Sequence, residues 1–509
     1  MKKSRGSVLV LVLSSLLVSN SFAQGIIKDD FKVNDDTMRL DQDMPDIDVD
    51  DLGYFVIVWQ DPRNNGTDVF AQRLNPSGEV SGGNYMINNE LNGYQKYPSI
   101  AYGSAGDFVV VWQDSREGNR DVYAQKFNAY GDTLDSNFRV NQDLGTKPQI
   151  EPEVGFSAIL VVVWEDQRLD DSDIFAQLLE PSGQFKDTNF KVNDDTGTST
   201  QLRSDVALDA RGNFVVVWQD KREENYDIYA QRFDSSGNFL DVNFRVNDDL
   251  GSSLQNFPKV DSDSPGNFVV VWQDKRNGDE DIFAQIYNWT GEKDGENFRV
   301  NDDMDNAYQG HPDVAMNKEG NFVVVWVDKR NGDKDIYAQR YDVSFNPLGV
   351  NFRVNSDTGS ADQSEPAVAT DGERIFFTWV DGRNSDLDIF AKAIDWNWTY
   401  VNEIDIQDDI SSFVLSQNFP NPFNLTTTIQ FTVHSKRKTA KSPIHTTLKI
   451  YNIRGRLVKT LVNEDLKPGT YTVIWDGKDN RGSEVASGIY FYRLKSEDCI
   501  ETKKMLFLK

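Results

Sequence analysis

The sequence predicts an all-β protein: a seven-bladed β-propeller closed by its own N-terminal strand, then a small β-sandwich. Three observations carry this expectation. A stretch whose cleanest form is Gly-Asn-Phe-Val-Val-Val-Trp-Gln-Asp-Lys-Arg, ending at Arg222 and again at Arg276, recurs along the chain. Its tryptophan falls at Trp59, Trp112, Trp164, Trp218, Trp272, Trp326 and Trp379, with gaps of 53, 52, 54, 54, 54 and 53 residues. So even a period is an internal repeat. Each unit holds four short apolar runs, and the first and last units are incomplete in complementary ways.

The fourth unit shows the four runs. Ser204–Leu208, Asn213–Gln219, Asp227–Phe233 and Asn243–Asn247 are rich in Val, Ile, Phe and Tyr and are bounded by Gly, Asn, Asp and Ser, the signature of strands. Four strands per unit and seven units in series give one antiparallel blade each. The Val-Val-Val-Trp run has no polar face, as expected of a strand covered on both sides. Phe31–Asn34 matches the fourth run, as in Phe244–Asn247, yet precedes any first run; the last unit ends at Ile394 without its fourth. Pairing the two ends closes the ring and removes the exposed edges. An open solenoid or a row of small sandwiches is the rival arrangement.

A chain of 509 residues exceeds one ordinary domain. Residues 1–23 read as a secretory signal peptide: Lys2, Lys3 and Arg5, an apolar core Val8–Val18, and Ser21-Phe22-Ala23 before the cut. The apolar run is short for a membrane anchor, and no second spanning segment follows. Residues 24–395 are the propeller, 396–412 a linker in which Trp396, Trp398 and Tyr400 cap the ring edge, and 413–509 a separate domain. The net charge is -28. Such a surface disfavours nucleic acid and anionic membrane, and favours cations, basic partners or neutral polymers. Cys499 is the single cysteine, so no intramolecular disulfide can form. Three histidines, His311, His434 and His445, exclude any repeated His-based chemistry.

Strand order places the loops between second and third strands on one face of the disc, with the loops between blades. That face carries the repeated polar chemistry and supplies the candidate binding residues. They are Asp61, Arg63 and Asp68; Asp114, Arg116 and Asp121; Asp166, Arg168 and Asp173; Asp220, Arg222 and Asp227; Asp274, Arg276 and Asp281; Asp328, Arg330 and Asp335; and Asp381, Arg383 and Asp388. The inter-blade loops add Asn34-Asp35-Asp36, Asn193-Asp194-Asp195, Asn247-Asp248-Asp249 and Asn301-Asp302-Asp303. Glutamine recurs at Gln42, Gln95, Gln149, Gln201, Gln255, Gln309 and Gln363, usually three residues before a proline. The structural reading of each triplet is an arginine fork held between its two carboxylates, pinning the loop; the functional reading is a ligand-reading face. The tryptophans read as packing between blades, or alternatively as a central sugar-binding surface.

Calcium is the one candidate ion; no other cofactor is indicated. Asp274, Asp279 and Asp281, and again Asp328, Asp333 and Asp335, alternate around a glycine, and calcium takes six to eight such oxygens. The basic residues within these loops, and the absence of a glutamate at the twelfth position, break the EF-hand pattern.

The last domain has strand runs at Thr427–Val433, Thr446–Ile453, Gly469–Trp475 and Gly488–Leu494, with bends at Arg454-Gly455 and Asp479-Asn-Arg-Gly482. A basic stretch, His434–His445, reads as an extended hairpin tip. Ser416-Gln-Asn-Phe-Pro-Asn-Pro-Phe-Asn424, Leu448-Lys-Ile-Tyr-Asn-Ile-Arg-Gly455, Val473-Ile-Trp-Asp-Gly-Lys-Asp479, Ala486-Ser-Gly-Ile-Tyr-Phe-Tyr-Arg-Leu494 and Lys503-Lys-Met-Leu506 resemble the type A C-terminal sorting domain of the bacterial type IX secretion pathway. They are also similar to the immunoglobulin-like domain of flagellar hook-capping proteins. The resemblance implies an immunoglobulin-like sandwich, the outer-membrane type IX machinery as a partner, and an extracellular or surface-attached location. It covers about the last fifth of the chain and implies nothing about the propeller. The propeller repeat lacks the Ser-x-Asp-x-Gly-x-x-Trp box of sialidase-like propellers and the Gly-His and Trp-Asp pair of the common regulatory ones.

Uniformity across seven units points to a non-catalytic module that binds a polysaccharide or surface protein through repeated sites. Catalysis usually needs one asymmetric constellation. The alternatives are a carboxylate-dependent glycoside hydrolase or lyase, which needs only two placed carboxylates, and a structural surface component. The irregular units carry Asn88-Asn-Glu90, Gln142, and Glu165 in place of the glutamine after the tryptophan.

Overall fold

The computed structural model describes residues 25–398, except 65, 144, 170, 250 and 304–305, and residues 413–508, except 416–417, 419–420, 434–443, 468 and 497–498. The leader at 1–23, Tyr400, most of the linker and nearly all of the basic stretch lie outside these described residues. Two compact units divide between residues 400 and 401.

The first unit is a β-propeller of seven four-stranded antiparallel sheets. Blade 1 runs Asp43–Val49, Phe55–Asp61, Asp68–Leu74, Tyr85–Met86, and the next five repeat the order. Blade 7 comprises Gln363–Thr370, Arg374–Asp381 and Asp388–Asp395, and its fourth strand is Ile26–Lys32 from the start of the chain. Phe31 pairs with Ala391 and Lys32 with Phe390. The first strands contact one another around the ring, including across the closure between blades 1 and 7.

Packing explains why the second strand is apolar throughout. Every residue of Phe55–Asp61, and of its counterparts Phe108–Asp114, Leu160–Asp166, Phe268–Asp274 and Phe322–Asp328, is buried. Each of the seven propeller cores combines two adjacent blades: Trp59 packs with Phe376 and Val380, and Trp112 with Val56 and Val58. All seven repeat tryptophans are fully buried, as inter-blade packing requires. Burying side chains of this size contributes about 1.5–3 kcal/mol each. Trp396 and Trp398 extend the last of these cores, with Trp398 edge-on to Phe352 at 5.0 Å.

The second unit has a three-stranded sheet, Phe413–Leu415, Thr427–Val433 and Gly469–Trp475. Facing it is a five-stranded sheet in the order Phe423–Asn424, Cys499–Leu508, Gly488–Ser496, Ile444–Asn452, Leu457–Leu466. The core holds Trp475, Phe423, Phe507, Tyr492, Leu448 and Met505. The strands at Phe413–Leu415, Phe423–Asn424, Leu457–Leu466 and Cys499–Leu508 are additional to the four the sequence indicated. Leu457–Leu466 is an edge strand whose exposed Glu464 and Asp465 mask its alternation.

Candidate functional site

The Asp-Arg loops are built as a lock. Asp274 is fully buried and accepts hydrogen bonds from the Trp272 indole N–H at 2.7 Å, the Arg276 backbone N–H at 2.8 Å and Arg276 Nη2 at 2.8 Å. The same three donors converge on Asp61, Asp114, Asp166, Asp220, Asp328 and Asp381. Each arginine lies over the aromatic ring of the third strand, as Arg276 does over Phe283 at 4.3 Å.

The fork's second carboxylate differs from the one the sequence suggested. Arg63, Arg222, Arg276 and Arg330 reach Asp35, Asp194, Asp248 and Asp302 of the preceding inter-blade loop at 2.6–2.9 Å, and Arg383 reaches Asp30. Arg116 reaches Asn89. The fork therefore ties blade to blade. The later aspartate of each triplet, Asp68, Asp121, Asp173, Asp227, Asp281, Asp335 and Asp388, instead accepts from the Asn side chain that ends the fourth strand: Asn88, Asn141, Asn193, Asn247, Asn301, Asn355 and, across the ring closure, Asn34. The buried Gln42 series links these asparagines onward. Gln95, for example, accepts from Asn88 and donates to Asp114.

Of the calcium candidates, Asp274 and Asp328 hold the lock, while Asp281 and Asp335 hold Asn301 and Asn355. Asp333 is exposed. Among the described residues no group of three or more His, Cys, Asp or Glu is arranged to hold a metal ion.

On the same face the first strands converge on an asymmetric site. Each first strand carries a β-bulge two residues after its glutamine. The bulged residue has left-handed φ in every blade: Met44 51°, Tyr97 52°, Glu151 48°, Arg203 54°, Phe257 52°, His311 51° and Glu365 51°. Non-glycine residues held there cost on the order of 1 kcal/mol each, and bulges re-aim side chains. Here they turn seven side chains onto a cavity of about 310 Å3, the mouth of the central channel. These seven positions hold six residue types, and the position two residues further on varies as well, from Glu153 to Lys259.

In four blades the backbone N–H of the bulged residue is taken by the polar side chain after the tryptophan of the preceding blade. Gln60 accepts from Tyr97 at 2.7 Å and Glu165 from Arg203 at 2.7 Å, while Glu365 accepts from Met44 at 2.7 Å across the ring closure. Glu165 is buried and hydrogen-bonded to the Glu151 side chain; burial, then the Glu151 charge, pushes its carboxyl up to about 8. Arg203 stacks over Phe257 at 3.9 Å, and Phe257 meets His311 at 4.2 Å. Burial, helped by Arg203 and Lys334, lowers His311 to about 4, so its ring is neutral near pH 7.

Deeper in the channel, Lys259 Nζ lies 2.7 Å from Glu153 and 3.7 Å from Asp205. Asp46, Asp205 and Asp313 each accept a backbone N–H of the next blade, from Ile100, Val260 and Val368. One level further, Asp48 and Asp261 accept from Tyr102 and Met316. Burial raises Asp205 to about 7, Asp48 and Asp313 to about 6 and Asp261 to about 8. A second cavity of about 550 Å3 opens on the far side of this layer.

The sequence reading did not single out this mouth, apart from Glu165 and the histidine count. The signal was present: the residue before each proline in Gln-x-x-Pro differs from unit to unit.

These features define the class: an all-β propeller protein with one asymmetric axial site and a C-terminal immunoglobulin-like domain. Residues 426–498 match the FlgD Ig-like domain. No curated protein matches the chain. Among solved structures, the fold is similar to a protein of unknown function from Dyadobacter fermentans, at 9% identity and TM-score 0.45, covering 73% of this chain and 99% of that one. It is also similar to the polysaccharide lyase Uly1, at 9% identity and TM-score 0.48, covering 69% and 90%. A third is the GH93 alpha-L-arabinofuranosidase of Fusarium graminearum, crystallised with arabinobiose, at 10% identity and TM-score 0.43, covering 72% and 97%. Among the described residues no helix is long and apolar enough to cross a membrane.

Proposed function

We propose that this is a secreted, carbohydrate-directed protein whose working site is the channel mouth. The Asp-Arg loops are the rim that holds that mouth in shape, and the C-terminal domain carries the chain to the outer-membrane export machinery. The observation that supports the reading is the break in symmetry: a scaffold that repeats its locks in all seven blades varies its residues where they face the cavity. Tyr97, Phe257 and His311 offer ring faces, and Glu151, Arg203 and Glu365 offer hydrogen bonds, the mixture that suits a sugar's apolar and hydroxyl faces.

A second reading, cleavage of the bound glycan, is favoured by the Glu151–Glu165 pair. With Glu165 raised to about 8, the pair holds a proton at neutral pH beside the cavity, as a general acid requires. The test is retention of the mature chain on a polysaccharide panel, with new reducing ends and unsaturated products measured alongside. Tyr97→Ala with Phe257→Ala should abolish retention, and Asp333→Ala on the rim should not. Retention that survives the double substitution would place the ligand elsewhere.

A further inference from the structure

Arg203 is the only arginine among the seven side chains turned into the mouth, and its surroundings differ from those of the arginines on either side of it in the chain. Arg168 and Arg211 are each ion-paired, to Asp166 and Asp209. Arg203 is exposed and, among the described residues, forms no ion pair. Other arginines, Arg73 and Arg120 among them, form no ion pair either among the described residues; what sets Arg203 apart is that it lines the cavity.

Its position is nevertheless fixed. The bulge sets its backbone at φ 54°, Glu165 holds its N–H at 2.7 Å, and its guanidinium lies over the Phe257 ring at 3.9 Å. His311 extends the stack from the next blade. Stacking orients a guanidinium while leaving its N–H edge free for a planar anion. The cavity lining also holds the carboxylates of Glu151, Glu153 and Glu365, with Glu153 paired to Lys259. Glu151 is engaged by Glu165 through a hydrogen bond, and Lys334 adds positive potential on the His311 side.

We infer that the mouth takes an acidic saccharide, a uronic-acid-containing chain whose carboxylate docks on the Arg203 guanidinium while a sugar face packs against Phe257. This rests on the reading of the mouth as a carbohydrate site. The guanidinium fork also matches a sulfate ester, so the test must separate the two anions.

The experiment measures affinity of the mature full-length chain for oligogalacturonate, oligoalginate and oligoglucuronate, for their methyl esters, for neutral oligosaccharides and for sulfated dextran fragments. At least one uronate should bind, with its ester weaker by about 10- to 100-fold, the value of a charge-assisted hydrogen bond. Arg203→Gln should remove the difference between acid and ester, and Arg203→Lys should restore part of it; both should melt like the parent, since the side chain is exposed. Equal affinity for acid and ester, or an Arg203→Gln variant that still discriminates, overturns the inference. Preference for the sulfated probe overturns the carboxylate assignment. Binding of neutral sugars alone, lost in Tyr97→Ala, leaves the carbohydrate site standing and removes only the acidic ligand; no binding by any probe removes both.

Discussion

Asp274→Ala tests the lock directly. The carboxylate is fully buried and receives the Trp272 indole, the Arg276 backbone N–H and Arg276 Nη2 at 2.7–2.8 Å, plus Gln255 Nε2 at 3.4 Å. Alanine leaves the buried indole N–H without an acceptor, costing about 1–3 kcal/mol. It also leaves Arg276 with Asp248 as its one carboxylate partner, beside Asn297, and breaking a buried pair costs about 3–5 kcal/mol in all. Taking about 4 kcal/mol, and an unfolding entropy of about 2.1 cal/mol/K per residue over roughly 370 propeller residues, the midpoint should fall by about 5 °C. Calorimetry of the mature chain reads this, following the larger transition. Asp333→Ala, at an exposed position of the next loop, should shift it by less than about 1 °C. If Asp274→Ala melts within about 1 °C of the parent, or Asp333→Ala falls equally, the aspartate is no lock and the reasoning fails.

The buried channel carboxylates predict an unusual pH response. Glu165 and Asp261, raised to about 8, and Asp205, raised to about 7, hold protons in the folded state that the unfolded chain releases near pH 4. Stability from these groups is therefore present below their unfolded values and is lost as pH rises toward 8. Melting should occur higher near pH 5 than near pH 8, and Glu165→Gln, which installs the glutamine of other blades, should raise the midpoint at pH 8 while barely changing it at pH 5; a steeper pH dependence in that variant would contradict the assignment. Tyr97→Gly should stabilise by about 0.5–1 kcal/mol, because its φ of 52° suits glycine, while weakening ligand retention; a loss of stability would show that the bulge is unstrained. Removing residues 24–34 should expose the edge of Asp388–Asp395, which pairs with Ile26–Lys32, and yield aggregates by size-exclusion chromatography; a monodisperse, equally stable product would refute closure by this strand.

Much of this molecule was legible as sequence because a repeat reports its own register. The spacing of the tryptophans gave the blade count, Val-Val-Val-Trp gave the buried second strand, and the displaced Phe31–Asn34 run gave the closure seen between Phe31 and Ala391. The Asp-Arg recurrence marked the polar face, but which carboxylate each arginine takes depends on the neighbouring blade. Only the folded ring brings Asp248 to Arg276. The mouth was hidden for the opposite reason. Met44, Tyr97, Glu151, Arg203, Phe257, His311 and Glu365 hold six residue types, so the Gln-x-x-Pro frame that marks their positions does not announce them as one site. What they share is a backbone state, a bulge with positive φ, and a radius from the axis. Repetition in the chain thus determined the scaffold, whereas the site exists only because closing seven strands around one axis brings seven unlike residues to the same opening.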